Sequence, residues 1–351
     1  MVRRPSIGVR SPPWHAPPLA APGRPSPSVR LFEKPEDFQV EEVPLYAPTG
    51  EGSHTFVRIE KRNRTTPEVA QDLARAAGVK ARDVGYAGLK DKLAVTSQWF
   101  SVPGLAPEAA LALKLSDARV LEAAAHPHKL RTGQLRANRF RILARDAERQ
   151  ADSAEARIQE LVARGMPNRF GPQRFGRRGD NADLGRRLLA GELKMRDRRR
   201  ARLFISALQA EVFNAVLERR ELPLDAVELG DVARVQASGG LFLVEDAEAE
   251  NERAQCFEIS PTGPIFGNRV IEPAGPVAER ERAVLTECGI DVDSVSPPPG
   301  VRLRGSRRPL RVLPEEVRLE REGPDLVLQF MLPPGSYATV FLQEVLGDTS
   351  D

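Results

Sequence analysis

Cysteine, histidine and aromatic side chains are all scarce in this chain of 351 residues, which has two Cys, four His and 5% aromatics. Cys256 and Cys288 lie far apart, and neither has a C-x-x-C neighbour. They form no zinc site by themselves, and a reducing, cytoplasmic setting is the simplest one for so little cysteine. Long apolar runs are missing too. No stretch approaches the roughly eighteen residues of a membrane helix, which excludes a membrane span. The arginine-bearing N-terminus lacks the apolar segment of a secretory signal. His126-Pro127-His128 brings two histidines together, but no carboxylate or cysteine stands at ligand spacing, so it reads as a surface loop. Residues 171–176, GPQRFG, have the spacing of a phosphate loop, yet Arg177 and Arg178 follow where Lys and Ser or Thr are required. A nucleotide site is rejected on that ground. No cofactor is expected, and any chemistry must come from ordinary side chains.

Charge of neither sign dominates. The formal net charge is +3, and the distribution says more than the sum. Residues 194–202, KMRDRRRAR, hold Arg198, Arg199 and Arg200. The segment 169–187 holds Arg169, Arg174, Arg177, Arg178, Arg186 and Arg187 against Asp180 and Asp183. One such cluster is as readily a solvated helix face. Two in neighbouring segments point to a phosphate-backbone partner, that is, nucleic acid. No obligatory protein partner is implied.

A chain of this length exceeds one core of usual size, so two domains are expected. Residues 1–30, rich in Pro, Ser and Ala without an apolar period, read as a disordered tail. Strands are predicted over 37–43 and 55–61, with the turn-rich 48–54 between them. A helix follows, with Thr66 as cap, Pro67 at its first position, Val69 and Leu73 inward and Gly78 as stop. Residues 138–145 alternate Phe140 and Ile142 against Arg139 and Arg141, the pattern of a half-buried strand. Asp152 with Glu155 reads as a capping box opening a helix that turns Ile158, Leu161 and Val162 inward. From 165 to about 311 the character shifts to helices and arginine. There 203–220 sets Phe204, Leu208, Val212 and Val216 on one stripe, and 276–289 is a weaker helix. After Pro309 a hairpin is expected over 315–332, turning at Gly323-Pro324-Asp325, with a short helix from about Thr339. A core domain interrupted by an insertion is the simplest organisation.

Within 85–102, GYAGLKDKLAVTSQWFSV, Asp91 stands between Lys90 and Lys92. Flanking lysines favour its ionised, nucleophilic form. Gly85 and Gly88 allow a sharp turn and close approach to a ligand. Lys and Asp are usually solvent-facing, however, and on these residues alone a surface turn is the commoner outcome. Phe38, Phe140 and Tyr337 lie at strand ends or strand-flanking turns, where an aromatic either packs or offers a stacking platform to an extruded base.

Five stretches together resemble the TruD family of tRNA pseudouridine synthases. They are PEDFQVEEVPLYAPTGEGSH (35–54), VGYAGLKDKLAVTSQWFSV (84–102), LRANRFRI (135–142), GMPNRFGPQRFG (165–176) and LPPGSYAT (332–339), in the family's order. The resemblance implies that Asp91 is the catalytic nucleophile and that Lys90 shapes its electrostatics. It also implies that Asn138, Phe140 and Phe38 lie at the substrate, and that Tyr337 takes a place where better-known members carry phenylalanine. The implied fold is α+β: a pseudouridine synthase catalytic domain with a mixed, largely antiparallel sheet, built from 31–164 and 312–351, and an inserted α/β domain over 165–311. The implied activity is isomerisation of uridine to pseudouridine at uridine 13 in the D-arm of tRNA. Glycosidases commonly need two carboxylates, one of which protonates a leaving group or activates water. Here the base is rejoined to the same sugar, so one carboxylate can suffice. Arg174, Arg177, Arg198, Arg199 and Arg200 would meet the RNA backbone. A synthase for another RNA would share all of this. A non-catalytic RNA-binding relative would keep the arginines but need not keep Lys90-Asp91, Asn138 and Phe140 together.

Overall fold

The structure, a computed structural model, describes residues 29–291, 295 and 297–347. The first half runs β1 (Phe38–Pro44), β2 (His54–Arg62), α1 (Thr66–Ala76), β3 (Gly85–Tyr86), β4 (Val95–Pro103), α2 (Pro107–Leu111), β5 (Ala118–His126), β6 (Leu135–Ala144) and α3 (Ala151–Arg164). The middle runs β7 (Met166–Pro167), α4 (Asn181–Leu189), α5 (Arg198–Glu218), β8 (Val232–Val235), β9 (Leu241–Leu243), α6 (Ala247–Gln255), β10 (Ile259–Ile265), α7 (Gly275–Glu287) and β11 (Ser306–Pro309). The chain closes with β12 (Arg311–Val312), β13 (Glu315–Glu322), β14 (Asp325–Leu332) and α8 (Ala338–Leu346).

The first and last segments build one sheet in the order β13-β14-β6-β1-β4-β2-β5, with β3 pairing β4. Only β1 and β4 run parallel; every other pair is antiparallel. The fold is thus α+β with a mixed, largely antiparallel sheet. The middle segment forms a separate antiparallel sheet, β11-β10-β8-β9, with α5 packed on β10. Its two ends meet: Met166 pairs with Val312 and Pro167 with Arg311. Buried Arg311 then ties the junction together by donating to the carbonyls of Arg164 (2.8 Å) and Ile259 (3.2 Å) and to Ser260 Oγ (3.1 Å).

Successive strand residues point to opposite faces, so register decides what meets what. Phe330, Phe140, Val40, Thr96 and Lys61 form one row across β14, β6, β1, β4 and β2. On this face two apolar clusters gather. One joins Ile142, Leu328 and Phe330 to Leu161 of α3 and to Phe341 and Val345 of α8. The other joins Val57, Ile59 and Phe100 to Val69 and Leu73 of α1. Between them the central strands turn inward Glu42, Lys61, Thr96 and Gln98, all buried. The opposite face carries an ion-pair ladder, Arg58–Glu41 (2.6 Å), Glu41–Arg139 (3.0 Å) and Arg139–Glu316 (3.0 Å).

Several sequence expectations need correction. The cap of α1 is Thr65, not Thr66: the Thr65 amide donates to Glu68 Oε2 at 2.6 Å, a box that closes only at that spacing. Asp152 and Glu155 cap nothing. A short turn over Glu148–Gln150 leads into α3, and both carboxylates meet Arg321 instead. Val162 is exposed, the helix turning Ala151, Ala154 and Leu161 inward. His126 is no surface residue. It ends β5 opposite His54, buried with its ring 4.2 Å from Phe56, and burial lowers the pKa of both histidines. The expected tail lies outside the described residues up to 28, but its last two residues are part of the fold. Val29 is buried in the α3–α8 cluster, and Arg30 exchanges backbone hydrogen bonds with Arg145. The boundary therefore falls before Val29.

Candidate active site

The loop between β3 and β4 carries Asp91 across the polar gap between the two apolar clusters. Its backbone is fixed from below. Lys61 Nζ donates to the carbonyl oxygen of Asp91 at 2.9 Å and to that of Arg64 at 2.6 Å. The Lys90 amide donates to Thr66 Oγ1 at 3.0 Å, Thr66 Oγ1 meets Gln98 Oε1 at 2.7 Å, and Gln98 Nε2 donates to the Gly88 carbonyl at 3.2 Å. Asp91 itself is exposed, and its carboxylate has no hydrogen bond or ion pair among the described residues. Leu89 and Leu93, two positions to either side in the chain, are 63% and 69% exposed.

Lys90 does not pair with Asp91 as the sequence suggested. Its side chain turns inward, where Nζ lies 2.6 Å from Glu42 Oε2 and donates to Asn138 Oδ1 at 2.8 Å. Glu42 and Asn138 are register partners on β1 and β6, which sets both acceptors on one ammonium. Glu42 Oε1 accepts the Trp99 amide at 3.1 Å, so the carboxylate is bound at both oxygens inside the sheet. The glycine expectation changes as well. A Cβ on Gly85 would come within 2.2 Å of the Leu130 carbonyl oxygen, so Gly85 serves chain packing. At Gly88 the nearest atom to a Cβ would be Lys90 Nζ, at 3.8 Å.

Phe38 stacks on Phe140 at 6.2 Å and Phe140 on Phe330 at 5.1 Å. Phe140 is buried, so its ring is core first. Tyr337 is half-buried just before α8, 6.1 Å from the Phe170 ring. A Cβ on Gly171 would stand 2.9 Å from Tyr337 Cδ1, which accounts for glycine at the end of the Asn168–Gly171 stretch. Arg198, Arg199 and Arg200 form the first turn of α5, capped by Asp197, and are exposed. Neither they nor Arg174 and Arg177 form an ion pair among the described residues, whereas Arg186 is held by Asp183 and Glu211.

Glu42 and Lys61 escaped sequence reasoning, although both leave a signal. Glu42 shares the inward phase of Phe38 and Val40, and Lys61 that of Val57 and Ile59. A charge on the buried phase of a strand is costly unless it is paired or hydrogen-bonded. Burial lowers the Lys61 pKa from 10.5 to about 8, against the opposing pull of Asp91. The cost to folding is therefore full below pH 8, where the ammonium is charged in both states. It is relieved as pH rises towards 10.5, because the folded state sheds its proton first. Across that window wild type should gain on Lys61→Met by up to about 3 kcal/mol. Denaturant unfolding of both proteins at the two ends of the window measures this, and a constant difference would refute it.

Comparison places this architecture. The fold matches a solved structure described as the putative tRNA pseudouridine synthase D (TruD) from Methanosarcina mazei. The TM-score is 0.73 at 24% identity, over 92% of this chain and 94% of that one. The fold is accordingly that of pseudouridine synthases. Residues 24–198 and 193–345 match the family model for tRNA pseudouridine synthase D. Relatives of that name include those of Anaeromyxobacter sp. strain Fw109-5 (43% identical; 94% of this chain, 95% of the relative) and Thermus thermophilus (44%; 89% and 87%). One from Geobacter sp. strain M21 is 38% identical over 89% of this chain and 94% of its own length. The chain belongs to the tRNA pseudouridine synthase D family. No helix among the described residues is long and apolar enough to cross a membrane.

Proposed function

We propose that this protein isomerises uridine to pseudouridine in tRNA, at uridine 13 of the D-arm, with Asp91 as nucleophile. One observation carries the reading. Asp91 is an exposed carboxylate without a hydrogen-bond or ion-pair partner among the described residues, on a loop whose backbone is fixed by Lys61 and Thr66. A nucleophile must be held in position yet left free to meet its substrate, and this arrangement does both. In the reaction the N1–C1′ bond breaks, the uracil turns, and a C5–C1′ bond forms. C5 loses a proton and N1 gains one, so neither water nor an external oxidant enters. The base must be unstacked to be reached. Exposed Leu89 and Leu93 would give it apolar contact, Phe38 and Tyr337 would offer aromatic faces, and Lys90, hydrogen-bonded to Asn138, would present polar groups beneath the loop.

Residues 29–164 with 312–351 would be the catalytic domain and 165–311 the inserted one, joined where β7 pairs with β12. The arginines of the insertion would hold the RNA backbone. Three of them occupy the first turn of α5, where the helix dipole disfavours positive charge. Their placement there fits a phosphate partner better than it fits helix stability. A cytoplasmic location suits this substrate.

The direct test is unmodified tRNA transcript incubated with purified protein and mapped for pseudouridine. Conversion at position 13 alone is expected. Conversion only at another position would move the target, and none would remove the proposed activity.

A further inference from the structure

Resting on the reading above, we propose that Arg308, together with Arg174, binds a backbone phosphate of the RNA beside the target nucleotide. Arg308 belongs to β11 in the middle segment, but its side chain reaches the loop between β14 and α8 of the other part of the molecule. It donates to the Asn168 carbonyl (3.2 Å), to Asn168 Oδ1 and to the Gly335 carbonyl (2.8 Å). Its guanidinium lies 4.2 Å from the Phe170 ring centre and 5.5 Å from that of Phe213. Every one of these contacts is to a neutral group. No carboxylate among the described residues pairs with it, and the charged neighbour acting against it is Arg174, itself 5.3 Å from the same Phe170 ring. Burial, opposed by the pull of Tyr337 and aided by that neighbour, pushes the Arg308 guanidinium down to about 10.

Two cations thus converge on one aromatic ring with no anion between them. Ring faces and carbonyl dipoles hold Arg308 in place but leave its charge unbalanced. Arg308 Nη1 has no partner among the described residues, and neither does any side-chain donor of Arg174, whose Nε is buried. Planar forks of this kind match phosphate oxygens. The place also matters. Asn168 accepts from Ser336 Oγ as well (3.4 Å), and Tyr337 follows in the same loop. A phosphate bound here would sit between the two parts of the molecule, next to the aromatic expected at the target base.

The experiment measures binding of tRNA to wild type, Arg308→Gln and Arg174→Gln across a salt series. It is repeated with tRNAs carrying single uncharged methylphosphonate linkages around the target uridine. Arg308→Gln should weaken binding roughly tenfold to a hundredfold and lower the salt slope by about one unit. One linkage should weaken wild type when neutralised and have no further effect on the variant. Arg174→Gln, whose side chain forms no hydrogen bond or ion pair among the described residues, should repeat the pattern even where Arg308→Gln fails to fold. Wild-type slopes in both variants, or losses that add at every linkage, would overturn the site while leaving the tRNA reading intact. A wild-type protein that does not bind tRNA would remove both.

Discussion

Asp91→Asn is expected to lose pseudouridine formation by more than about a thousandfold, the scale on which removal of a nucleophile acts. Folding and tRNA binding should hardly change. The structure largely separates these effects, because the fold holds Asp91 by its main chain and feels its carboxylate only through its pull on the Lys61 ammonium. Lys61 grips its carbonyl oxygen, and no partner among the described residues engages its carboxylate. An exposed side chain of the same shape should leave stability within about 0.5 kcal/mol of wild type. Asparagine keeps the volume and polarity that a bound uridine would meet, and loses only the negative charge. Single-turnover assays on unmodified tRNA, beside thermal unfolding and binding of the same protein, read the three quantities separately. Turnover near the wild-type rate would take the nucleophile's role away from Asp91.

Much of this was legible in the sequence wherever one period ruled a segment. Phe140 and Ile142 against Arg139 and Arg141 identified β6, and the hairpin at Gly323 delivered β13 and β14. The stripe through Phe204, Leu208, Val212 and Val216 found α5, although the helix begins five residues earlier, at its Asp197 cap. Strand β5 went unseen because its Ala-rich stretch, ARVLEAAAH, has Val120 as its one β-branched residue and no Phe, Tyr or Trp to mark a strand. The site divides the same way. Asp91 stood out through its neighbours in sequence, but the neighbours that fix it come from β1, β2 and α1. Adjacency along the chain assigned Lys90 to Asp91, and the sheet register reassigns it to Glu42 and Asn138. Register is a property of strand pairing, which no local window contains.

That reassignment makes Glu42 the most consequential residue beneath the loop. Glu42→Gln should cost about 3 to 5 kcal/mol of stability, since it leaves the Lys90 ammonium buried beside a neutral group. Both side chains are nearly closed to water, 1% and 6% exposed, so solvent does little to screen the loss. Lys90→Met alone should be comparably harmful, leaving the Glu42 carboxylate with only the Trp99 amide. The double variant removes both charges together, and buried pairs replaced by neutral groups of similar size are often tolerated. It should recover most of the stability but none of the turnover, because Lys90 and Asn138 would no longer share the hydrogen bond beneath the Asp91 loop. Denaturant unfolding of the four proteins, with turnover on the same preparations, tests both halves. Additive stability losses would mean that the two charges do not depend on each other. Restored turnover in the double variant would mean that the pair holds the sheet together and does nothing for the reaction at Asp91.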